Sequence, residues 1–157
     1  MKNKILTILI SFLSAFVLCA CANKVDYDAL KENTGLMFVA TEYNTGENDI
    51  TSDYWVSTKF NIFYDGSIEV IETYNVSGDI GIRVSVSDKE YKKIYDFISK
   101  GKIDRSVDGV DGAQWDFYSY DLEGKPTLIY QGYIYGIKEI ESIQEILKNY
   151  IFVEEKS

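Results

Sequence analysis

Residues 54–74 read YWVSTKFNIFYDGSIEVIETY, and this stretch decides the fold. Two runs rich in β-branched and aromatic residues, 54–64 and 67–74, flank Asp65-Gly66. Asp-Gly between two alternating runs marks a β-hairpin, and a type I′ turn there requires positive φ at both central residues. Phe60, Ile62 and Tyr64 share one face of the first strand, and Ile68 and Val70 share one face of the second.

Outward from this hairpin the pattern stays antiparallel. Leu36-Met37-Phe38-Val39-Ala40 predicts a strand before a polar loop at 44–53, and 80–86 predicts a further strand. Ser87 and Glu90 then form a capping-box pair, Tyr91, Ile94, Tyr95 and Ile98 recur at helical spacing, and Gly101 ends the helix. An Asp- and Gly-rich loop at 102–112 leads to a second hairpin with strands at 113–122 and 127–135, turned at Glu123-Gly124. The single proline, Pro126, stands at the start of the returning strand, where a missing amide donor matters least. A final amphipathic helix spans 138–151, with Ile140, Ile143, Leu147 and Tyr150 on one face.

These elements define an α+β fold: an antiparallel sheet of about six strands, ordered ββββαββα, with two amphipathic helices packed on one face. Each hairpin begins near a tryptophan (Trp55, Trp115), turns at an acid followed by glycine, carries a tyrosine near its end (Tyr74, Tyr133) and is followed by a helix. The correspondence rests on few residues, and the loops differ. Nearly half the chain, 46%, is apolar, and thirteen Tyr with eight Phe exclude disorder. Residues 35–157 are enough for one core.

The N-terminus has a different grammar. Met1-Lys2-Asn3-Lys4 is basic, residues 5–18 are apolar or small, and Leu18-Cys19-Ala20-Cys21 closes the run. A transmembrane helix needs about 20 apolar residues; this run is shorter and meets Asn23 and Lys24 directly. The order of parts is that of a secretory signal peptide. The ending resembles the lipobox of bacterial lipoproteins, with an aliphatic residue three before the cysteine and a small one just before it. Together with the abundance of Lys, Asn, Ile and Tyr, it is similar to small lipoproteins of low-GC Gram-positive bacteria. The resemblance implies cleavage before Cys21, a diacylglyceryl thioether on Cys21 with palmitate-type chains, and a place on the extracytoplasmic face of the cell membrane. Cleavage without lipid is the alternative. The domains that follow are a signal peptide at 1–20, the lipidated cysteine with a polar tether at 21–34, carrying a helical turn near 27–30, and a single α+β domain at 35–157.

Charge and residue inventory narrow the function. The whole chain carries a net charge of −9; without residues 1–20 it has 14 basic and 25 acidic residues, a net charge of −11. Nucleic acid is a poor partner for such a surface. There is no histidine, and both cysteines lie at the signal junction, so Ser-His-Asp and Cys-His catalysis is excluded. No cofactor and no metal site is expected. Asp104, Asp108 and Asp111 with Gly109 and Gly112 lack the spacing and late glutamate of a calcium loop and read as turn residues. The remaining catalytic possibility is a carboxylate-based hydrolase, for which Asp116 between Trp115 and Phe117 is the candidate; the strand reading instead turns Asp116 to solvent. We expect a non-enzymatic chain.

Tyr118 and Tyr120 lie on the strand face opposite Trp115 and Phe117, and in the partner strand Leu128, Tyr130 and Ile134 alternate with Ile129, Tyr133 and Tyr135. With both helices on one face, Tyr118, Tyr120, Tyr133 and Tyr135 form a candidate ligand-binding face for a glycan, peptide or envelope protein. The alternative is a structural or accessory envelope protein whose tyrosines only pack.

Overall fold

The computed structural model describes residues 25–46, 49, 51–105 and 113–151. Cys21 and most of the Asp-Gly loop, including Asp108, Gly109, Asp111 and Gly112, lie outside them. After a one-turn helix, α1 (Tyr27–Leu30), come β1 (Leu36–Tyr43), β2 (Trp55–Phe63), β3 (Ser67–Tyr74) and β4 (Gly78–Ser85). Helix α2 (Asp88–Ile98), β5 (Gln114–Tyr120), β6 (Pro126–Tyr133) and helix α3 (Lys138–Lys148) complete the chain. The six strands form one sheet in the order β4-β3-β2-β1-β5-β6, every neighbouring pair antiparallel. The α+β class and the six-stranded antiparallel sheet are those expected from the sequence.

β1 is the centre of the sheet. β2 and β5 both pair with it, so the β4–α2–β5 connection carries the chain from one edge across three strands to the far side of β1. One face of the strands is strongly apolar. Ala40 lies in register between Phe60 and Phe117, and Glu42 between Thr58 and Trp115. The single methyl of Ala40 leaves room above β1 for rings from both sides. Trp115 stacks parallel to Phe117 at 5.5 Å and to Phe60 at 6.1 Å, and Phe38 stacks on Phe117 at 5.6 Å. Phe97 of α2 meets Phe38 and Phe117 edge-on at 6.0 and 6.1 Å. Burying each such ring contributes about 1.5–3 kcal/mol. From α3, Ile140, Ile143, Ile146 and Leu147 join the same core.

The turns correct one expectation. Asp65 does not have positive φ; Gly66 alone does, at +79°. The Gly66 amide donates to the Phe63 carbonyl, and the loop occupies three residues between Phe63 and Ser67. This is a type I turn closed by a left-handed glycine, which Asp-Gly serves as well as it serves type I′. The second hairpin uses the same device, with Gly124 at φ +81° donating to the Asp121 carbonyl. Its glutamate likewise keeps negative φ.

The two hairpins are not equivalent about β1. The register places Thr58, not Trp55, at the position matching Trp115, three residues away. Trp55 lies beyond an irregularity in the β2–β3 pairing and donates its indole N–H to Thr58 at 2.8 Å.

The capping box forms as expected. Ser87 Oγ accepts the Glu90 amide and donates to Glu90 Oε2 at 2.6 Å, and the Tyr150 hydroxyl donates to the same oxygen at 2.7 Å. These donors hold the Glu90 carboxyl below its ordinary pKa, while burial raises the Tyr150 hydroxyl to about 12.

Candidate binding face

The side of the sheet opposite the aromatic core collects the tyrosines. Strand register aligns Tyr43, Gln114 and Tyr133 in one row across β1, β5 and β6. The next row is Thr41, Asp116 and Gln131, and the next is Val39, Tyr118 and Leu128. Tyr120 follows opposite Pro126. Alternation along each strand puts these side chains on the face away from Phe38, Trp115 and Phe117. Tyr118, Tyr120 and Tyr133 are half-buried. Tyr135 lies past the end of β6, 84% exposed, in the turn before α3. Three of the four expected tyrosines therefore share the sheet face, and Tyr135 stands at its margin.

Two members of this face have no local signal in the sequence. Tyr43 belongs to it because β1 pairs with β5 across a separation of about seventy residues. Leu128 also belongs to it, opposite Tyr118, where simple alternation groups it with Tyr130. The register of β6 shifts between Phe117 and Tyr118, leaving Ile129 and Tyr130 consecutively buried. A bulge inserts one residue and reverses the side on which all later residues fall. Both faces of this strand are apolar, so composition carries no trace of the shift.

Polar groups punctuate the rings. Burial first, then the neighbouring Asp116 carboxylate, raises the Tyr43 hydroxyl above its ordinary pKa, and the Thr41 side chain opposes the rise. Asp116 Oδ1 is buried without a hydrogen-bond partner, and so is Asn61 Oδ1 on the same face. The Asn61 amide donates to Glu69 Oε2 at 2.8 Å. An orphaned buried acceptor costs about 1–3 kcal/mol relative to a satisfied one. Both oxygens are therefore disposed to accept O–H or N–H donors. On the other half of the face, the Arg83 guanidinium lies 4.1 Å from the Phe63 ring centroid and pairs with Asp65 at 3.3 Å.

As a catalytic candidate, Asp116 lies on the opposite side of its strand from the fully buried Trp115 and Phe117. The carboxylate that does occupy an apolar setting is Glu42, 7% exposed beside Trp115 in register. Burial raises its pKa and the Lys148 ammonium, 3.3 Å away, opposes the rise. Its partner is a lysine rather than the second carboxylate that glycoside hydrolysis requires. Of the Asp-Gly loop, Asp104 is exposed and paired with Lys102 at 2.8 Å. Among the described residues, no group of three His, Cys, Asp or Glu is arranged to hold a metal ion. No helix among them is long and apolar enough to cross a membrane.

A cavity of about 530 Å³ lies elsewhere, between α1 and α2, lined by Tyr27, Lys31, Asp88, Tyr91 and Lys92 among others. A sheet face is flat, so cavity volume does not measure its capacity to bind. No protein-family model matches this chain, and no curated protein or solved structure matches it either.

Proposed function

We propose that this chain is a lipoprotein held on the extracytoplasmic face of a bacterial membrane through Cys21, and that its domain is a non-catalytic binding module. The tyrosine face of β1, β5 and β6 is the binding surface. Both helices cover the opposite face. In support, Phe97 of α2 touches Phe38 and Phe117, and Lys148 of α3 reaches Glu42; Phe38, Glu42 and Phe117 lie on one side of the sheet. The observation that carries the reading is the grouping of Tyr43, Tyr118 and Tyr133 around Asp116, whose Oδ1 lacks a donor. Large rigid rings beside unsatisfied acceptors suit a ligand bearing O–H or N–H groups, such as a glycan or peptide.

One observation favours an accessory role without a ligand. Val39 and Asn61 are only 6% and 7% exposed although they lie on this face, so the surrounding side chains already shelter its centre.

Two arms of one experiment test the proposal. Cells expressing the full chain are labelled with an alkyne fatty acid, and the N-terminal peptide of the mature chain is weighed. A diacylglyceryl group on Cys21, lost with membrane retention in Cys21→Ala, is the expected result; an unmodified mature chain released to the medium contradicts the anchor. In the second arm, envelope components retained by the wild-type chain should be lost from Tyr118→Ala plus Tyr133→Ala. Equal retention by both forms contradicts the binding face.

A further inference from the structure

Helix α2 separates two kinds of surface. Tyr91, Ile94 and Phe97 are buried, while Lys89, Lys92, Lys93, Asp96 and Lys100 fall on the exposed side of the helix and its last turn. Four ammonium groups and one carboxylate on a single stripe stand out in a chain whose net charge is −9. The carboxylate, Asp96, already accepts the Tyr27 hydroxyl at 3.0 Å. Helix α3 has no comparable stripe: its exposed residues include Lys138, Glu139, Glu145 and Lys148, and Lys148 is committed to Glu42.

The N-terminal segment is fastened beside this stripe. Tyr27 packs edge-on against Tyr95 at 5.5 Å and Tyr91 at 6.3 Å, with the Lys92 ammonium 5.1 Å from its ring centroid. Lys31 pairs with Asp88 at 2.5 Å. Residues 27–31 of the expected tether are thus laid along the first turns of α2. Four residue steps separate Cys21 from Val25, the first described residue, and they span at most about 14 Å. A lipid on Cys21 therefore holds α1, and the part of α2 packed against it, close to the bilayer.

We infer that the Lys89–Lys92–Lys93–Lys100 stripe is the surface this domain lays against anionic phospholipid, which turns the tyrosine face away from the membrane. The inference rests on the lipid anchor proposed above and adds an orientation to it. Basic residues near an anionic leaflet are attracted within roughly a Debye length, about 10 Å at 0.1 M salt. The exposed acids of the N-terminal segment are Asp26, Asp28 and Glu32, with Asp88 in the first turn of α2, and Lys93 and Lys100 lie farther along the helix from Asp88. The acidic remainder of the domain is repelled by the same leaflet, so attraction and repulsion favour one orientation.

The test uses the full chain, processed in cells and purified with its lipid, in vesicles of phosphatidylcholine with or without phosphatidylglycerol. A gadolinium-chelating lipid in the outer leaflet reports proximity by relaxing nearby amide protons. With phosphatidylglycerol, relaxation at residues 88–100 is expected to exceed that at 114–120 several-fold. The contrast should shrink in phosphatidylcholine alone, at 1 M salt, and in the variant Lys89→Gln, Lys92→Gln, Lys93→Gln, Lys100→Gln. Glutamine has nearly the helix propensity of lysine, so these exposed changes leave α2 folded, and circular dichroism checks it. Equal relaxation of both segments, or a contrast indifferent to phosphatidylglycerol, overturns the orientation while leaving the anchor intact. An unlipidated Cys21 in the mass spectrum of the starting material overturns the anchor instead.

Discussion

Glu90 shows how much of this fold depends on single carboxylates used as acceptors. Its side chain closes the N-terminus of α2 through Ser87 and reaches the end of the helical layer through Tyr150. These donors favour the charged form, so the folded-state pKa lies below the unfolded one. The contribution to stability is therefore complete above the ordinary glutamate pKa of about 4.3 and is lost as the pH falls through the folded value. The melting-temperature gap between wild type and Glu90→Gln should be full at pH 6–7 and close below about pH 4. A gap that stays constant to pH 3.5 contradicts this account of the cap. The Ser87–Glu90 pair is legible from its spacing alone. Its link to Tyr150 is not, because sixty residues separate the two.

The hairpins are legible as elements, since alternation and acid-glycine pairs are local signals. Their turn type is not, because Asp-Gly satisfies two turn types, and the choice depends on whether the strands close over two residues or three. Only the glycine takes the left-handed conformation in each. Gly66→Ala should therefore cost about 1–2 kcal/mol, the penalty for an L side chain at positive φ. Steric crowding adds little to that penalty, since a methyl group on Gly66 would meet nothing closer than the flexible Lys31 side chain at 3.5 Å. Urea denaturation measures the loss, and an unchanged midpoint contradicts the assignment of the turn. The bulge in β6 and the recruitment of Tyr43 are illegible for a different reason. Each depends on which strand lies beside which, and that is set by packing of Phe38, Phe60, Trp115 and Phe117 over Ala40.

At the scale of the whole molecule, an aromatic core takes in residues of the sheet and of both helices, a basic stripe on α2 runs beside the N-terminal segment, and the tyrosines gather on the side of the sheet away from Phe38, Trp115 and Phe117. The proposed membrane address is read from the first twenty-one residues, and most of the tyrosine face from the second hairpin. The placement of α1 along α2 has no sequence signal beyond a short helical turn. The central claim is that the tyrosine face is occupied in the envelope. Oxidative footprinting of tyrosines, carried out on intact cells and on the purified chain, tests it most directly. Tyr43, Tyr118 and Tyr133 should be modified several-fold more slowly in cells than in isolation, while Tyr54, in the loop before β2 and outside both the face and α2, serves as the reference within the same chain. Equal rates at the three face tyrosines in both settings would contradict the claim.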